Sequence, residues 1–172
     1  MGLMDQITDV LKQYAGGSAQ VPPNVNEHFD QVAQAAPPSS IAEGIAAAFR
    51  SDQTPAFGQM LSGLFGQSNG EQKAGMLNQL VASLGPGVLS QLAGGGVLAG
   101  LLGGGAKAFT PEQAQEVSPD LVQQLAAHAE KSDPSIVDKA SAFYAQHPTL
   151  VKTLGGAALS IALTKLAQRR AA

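Results

Sequence analysis

The chain has 172 residues, of which 44% are hydrophobic, 13% charged and 5% aromatic, with 10 Lys plus Arg against 13 Asp plus Glu. The absence of Cys excludes disulfides, thiolate zinc sites, thiol nucleophiles and lipid attachment to cysteine. A net charge of −3 gives no general nucleic-acid footprint, and 29 Ala and 19 Leu beside so few charges argue against disorder.

The start, Met1-Gly2-Leu3-Met4-Asp5-Gln6, lacks the basic segment of a signal peptide. Gln6 also stands where a myristoylation signal needs Ser or Thr. This predicts an unprocessed, cytoplasmic chain. Leu3, Met4, Ile7, Leu11 and Tyr14 recur at helical spacing, and Gly16-Gly17 ends that helix. Ser40-Ile41-Ala42-Glu43 reads as a capping box, in which the Ser and Glu side chains satisfy orphan amides at a helix start. Thr54-Pro55, Thr110-Pro111, Ser118-Pro119 and Asp133-Pro134 each read as an N-cap followed by Pro at the first helical position. Pro148-Thr149 is similar. No stretch alternates with period two over a useful length. The pattern predicts an all-α fold, a multi-helix bundle of about eight or nine helices in a single domain over residues 1–172.

Residues 21–66 resemble residues 117–160. Val21-Pro22-Pro23-Asn24 lines up with Val117-Ser118-Pro119-Asp120, Phe29 with Leu125, and Phe49 with Tyr144. Pro55, Leu61 and Gly63 then line up with Pro148, Leu154 and Gly156. An internal duplication predicts two three-helix units about a pseudo-twofold axis, around a Gly-rich middle at 67–116. The alternative is that any two Ala-rich helical stretches with Pro caps align to this extent.

No charge occurs from Ala74 to Ala106. Within that run, residues 88–106 fit three arrangements. The first is a buried hairpin, in which Gly96, Gly100 and Gly104 let backbones approach closely. The others are a membrane-inserting segment of spanning length and a Gly-rich loop. The segment Thr149–Ala172 is apolar on nearly every side, as expected of a helix buried in a core or in lipid. Residues 1–138 carry 5 basic and 13 acidic side chains, net −8, whereas Lys139, Lys152, Lys165, Arg169 and Arg170 give the remainder +5. That basic end suits either an acidic protein body or an anionic lipid surface, with Lys152, Lys165, Arg169 and Arg170 as the contacts.

No chemistry-bearing pattern emerges. His28, His128 and His147 stand in no metal-ligand spacing, and Glu112, Glu116 and Asp120 read as acids complementing helix dipoles. There is no dinucleotide fingerprint, phosphate loop or nucleophile elbow. The expectation is no catalytic residue, no metal and no cofactor.

The opening Met1-Gly2-Leu3-Met4-Asp5-Gln6-Ile7 resembles the start of the YidB-like bacterial proteins. Leu61-Ser-Gly-Leu-Phe-Gly66, Gly100-Leu-Leu-Gly103 and Thr110-Pro-Glu-Gln113 are similar to that family in composition. The resemblance implies a bacterial, all-helical protein and implies no activity or site residues. The expected function is that of a non-enzymatic structural or interaction protein that self-associates, or binds another protein, through apolar helix faces. Leu3, Ile7, Leu11 and Tyr14 are its candidate contact. The alternatives are a membrane-associated protein using 88–106 and the C-terminal helix, and a helical carrier of a lipid-like ligand. A nucleic-acid partner is not expected.

Overall fold

A computed structural model describes residues 2–16, 21–84 and 108–171. Every regular element among them is helical, so the protein is all-α. The first five helices are α1 (Leu3–Ala15), α2 (Val25–Ala35), α3 (Pro38–Phe49), α4 (Phe57–Gln67) and α5 (Gly70–Ser83). Then come α6 (Pro111–Glu116), α7 (Pro119–Ser132), α8 (Ile136–Ala145), α9 (Pro148–Val151) and α10 (Gly156–Ala171), with a 3-10 turn at Lys152–Leu154 before α10. The stretch 88–106, for which the sequence allows a hairpin, a span or a loop, lies outside the described residues.

Local chemistry sets several of these boundaries. Thr110 and Gln113 form a reciprocal capping box at α6, with bonds of 3.3 and 3.1 Å. Ser118 accepts from the Leu121 amide at the start of α7, at 3.3 Å. Asn69 and Gln72 make a further box at α5, at 2.9 and 3.0 Å. Three expected starts lie elsewhere. Helix α3 begins at Pro38 rather than after Ser40, because proline at the first position already holds the helical φ and lacks the amide that a cap would serve. Thr54 turns its hydroxyl back to donate to the Ala48 and Ser51 carbonyls, and α4 starts only at Phe57. Asp133 accepts from the Ser135 amide and hydroxyl and from Lys139, closing a turn ahead of α8. The Ser135 hydroxyl first, and then Lys139, hold its carboxyl below the usual aspartate range.

The chain divides into two compact units, one of Met1–Ala56 with Ser141–Ala172 and the other of Phe57–Ala140. Residues 21–66 carry α2, α3 and α4, and residues 117–160 carry α7, α8, α9 and the start of α10. Each of these segments crosses from one unit to the other, after Ala56 and after Ala140 respectively.

In the second unit α4 lies along α7, and α5 packs on α6 and α7. Phe57, Leu61, Leu64 and Phe65 are buried there with Val122, Leu125 and Ala129. The Asn78 side chain pairs with the Phe109 backbone, accepting from its amide at 2.7 Å and donating to its carbonyl at 3.5 Å.

In the first unit α10 is the central element, packed on α1, α2 and α3. Ala158, Leu159, Ala162, Leu163, Leu166 and Ala167 are all buried. The apolar C-terminal segment is not one continuous helix. Gly155 has φ of 95°, a conformation that side-chain-bearing residues rarely adopt. The chain bends by 118° between the segments on either side of it. No single helix among the described residues is long and apolar enough to cross a membrane.

Glycine permits a close helix approach in each unit. A Cβ on Gly44 in α3 would lie 2.9 Å from the Ala162 carbonyl oxygen of α10, and one on Gly58 in α4 would lie 2.8 Å from that of Gln123 in α7. Gly63, inside α4, has no neighbour within 4 Å of such an atom. The same substitution therefore has opposite expected effects at the two kinds of site. Gly44→Ala forces backbones apart and should cost about 1–3 kcal/mol. Gly63→Ala removes a helix-weakening glycine and should add about 0.5–1 kcal/mol. Urea unfolding of both variants checks the pair of signs.

Candidate functional site

An apolar hollow lies within the first unit. It is a groove of about 250 Å³ lined by Met4, Ile7 and Leu11 of α1, Val32 and Ala35 of α2, Ala36 and Pro37, Ser40 of α3, and Leu166 and Arg169 of α10. Its origin is local. Helix α2 ends at Ala35 because Pro37 and Pro38 follow, and Ala36 is already extended with ψ of 145°. Two alanines and a proline ring are too short to fill the space between α1 and the end of α10. Ile7, Leu11, Val32 and Leu166 form buried walls, while Met4, at 59% exposure, stands at the rim.

Ser40 and Arg169 supply the only polar side chains in this lining among the described residues. The Arg169 guanidinium forms an ion pair with Glu43 of α3, and both side chains are 49% exposed. A pair this open to water contributes about 0–1 kcal/mol. It orients the guanidinium at low cost and can be exchanged at low cost.

The structure brings together Ile7, Leu11 and Arg169 from the residues singled out in the sequence. It separates the others. Tyr14 lies farther along α1, where its hydroxyl meets His28 Nδ1 of α2 at 2.8 Å, ring edge to ring face. Asn24 holds the other ring nitrogen at 2.9 Å. Lys152 pairs with Asp30 at 2.9 Å. Lys165 is exposed beside a second, more open hollow, which is also lined by Ser51, Gln53, Thr164 and Gln168. The side chains of Leu3 and Arg170 lie outside the described residues. The α1 stripe expected to reach another copy is instead covered by α2 and α10 of its own chain, with Ile7, Leu11 and Tyr14 at 4%, 5% and 1% exposure.

Sequence reading did not find Val32, Ala35, Pro37 or Glu43 as site residues. One signal was present: a helix ending in two alanines before two prolines leaves its last turn without bulk. Nothing in the sequence pairs Glu43 with Arg169. No group of three or more His, Asp or Glu side chains suited to a metal occurs among the described residues. Glu112, Glu116 and His128 are exposed on α6 and α7, and His147 precedes α9 with its ring beside Phe143.

No protein-family model, curated protein or solved structure matches the chain.

The Tyr14–His28 bond ties α1, which carries one wall of the groove, to α2, which carries another. Tyr14→Phe leaves a buried ring nitrogen without its partner and should lower stability by about 1–3 kcal/mol at neutral pH. Burial raises the Tyr14 hydroxyl above its usual pKa. Its contribution is therefore present below the unfolded-tyrosine value of about 10 and is lost as pH rises through the raised native value. Tyr14→Phe should lack this alkaline loss, which denaturant titrations on either side of that pH measure.

Proposed function

We propose that the protein is a non-enzymatic interaction protein that binds a small lipid-like molecule in the groove between α1, α2 and α10. The observation that supports this reading is the groove's composition: buried apolar walls with, among the described residues, a single cation at the mouth. Ligand sites are typically apolar hollows with a few placed polar groups. Lys152, one of the charges that could serve a lipid surface, is paired with Asp30, and Arg169 stands in the groove lining, which favours the groove over the basic tail as the point of contact. Self-association, a cytoplasmic setting and kinship with the YidB-like proteins belong to the same proposal and add no residue to the groove.

Size constrains the ligand. The groove, at about 250 Å³, is at the small end for ligand pockets, with room for roughly eight water-sized groups. At about 0.8 kcal/mol per buried methylene, six methylenes give about 5 kcal/mol, a Kd in the sub-millimolar range. Methyl NMR suits an affinity of this order. Titration of the full chain with 1-octanol should shift the methyls of Met4, Ile7, Leu11, Val32 and Leu166 and leave those of the second unit in place. Ala35→Leu, which fills the groove from its exposed edge, should weaken binding at least about tenfold. Absence of any shift in the natural chain up to the solubility of octanol would overturn the reading.

A further inference from the structure

We infer that the molecule held in the groove is a free medium-chain carboxylate, whose head group displaces Glu43 from Arg169. This inference rests on the groove reading above and adds the chemical class of the head group. Among the described residues Arg169 is the only charged one in the lining, so the described mouth carries a cation and no acid. A guanidinium offers five donors in a planar fork that matches a carboxylate with two parallel bonds. Glu43 meets it at Nη1. Glu43 approaches from α3 and is not part of the lining, so it occupies the guanidinium without filling the apolar space. Both partners are half-exposed, so the pair is weakly held and open to exchange. An acyl chain along Ile7, Leu11 and Leu166 would place its carboxylate at the same end as Arg169, with the Ser40 hydroxyl as a further donor in the wall. An alcohol of equal length would gain the apolar contacts and forgo the charged pair.

The test compares octanoate, 1-octanol and acetate on the full chain, with methyl shifts as the readout and circular dichroism confirming that each variant is folded. Octanoate should bind a few-fold more tightly than octanol, because its carboxylate adds a charged pair at a half-exposed guanidinium. Acetate, which has the head group alone, should not shift the wall methyls. Arg169→Gln should bring the ratio of octanoate to octanol affinity down to about one. Glu43→Gln, which removes the competing carboxylate, should tighten octanoate a few-fold and leave octanol unchanged. Equal binding of octanoate and octanol, or no change of their ratio in Arg169→Gln, would overturn the carboxylate assignment while the groove reading stands. If neither compound shifts the wall methyls, the groove reading itself fails.

Discussion

The first unit depends on one contact, the approach of α3 to α10 at Gly44 and Ala162. Only a residue without a side chain lets these two backbones come so near. Everything downstream on α10 is then placed by helical geometry. Leu166 and Arg169 follow Ala162 at four and seven residues, on the same face, and Arg169 lies about 10 Å along the axis. Glu43 is the immediate neighbour of Gly44. The residue that fixes the approach is thus next in sequence to the residue that meets the guanidinium. Spacing between backbones, more than attraction between charges, brings Glu43 and Arg169 together.

This arrangement suits a chain with few charges. The ion pairs described in it are partly to largely exposed, so they orient side chains without contributing much stability. Burial of Ala, Leu, Ile, Val and Phe on helix faces carries the stabilisation, and close approach through glycine increases it by removing the gap between helices. The cost appears where a helix ends in small residues. At Ala35 and Ala36 the faces no longer interlock, and the groove is the space that results.

Much of the architecture was legible in the sequence because proline and cap residues punctuate helices by local rules. Thr110 and Ser118 stand where their spacing to proline places them, and the α1 stripe is buried as an amphipathic face should be. The exceptions are also local and physical. Ser40 lost its capping role to the upstream Pro38, and Thr54 and Asp133 spent their side chains on the turns that precede the next helix. The site was far less legible. Ile7 and Leu11 announced themselves by period, but the elements that cover them could not be read from it. Glu43 and Arg169 come from distant parts of the chain, and no local rule joins them. A hollow made by the absence of bulk has almost no signature in a sequence where alanine is common.

The histidine between Tyr14 and Asn24 has one more property. Both of its ring nitrogens are hydrogen-bonded, one to the helix before it and one to the residue that opens its own helix. As the groups stand, the Asn24 amide donates to Nε2 and Nδ1–H donates to the tyrosine oxygen; the opposite arrangement, with Tyr14 donating, requires Asn24 to turn its carbonyl oxygen toward Nε2–H. Whichever arrangement is populated depends on α1 staying docked against α2. The His28 imidazole is therefore a built-in gauge of that docking, since its nitrogen resonances would change if α1 moved outward to admit a bulky guest. They would stay fixed if a guest entered a groove already open.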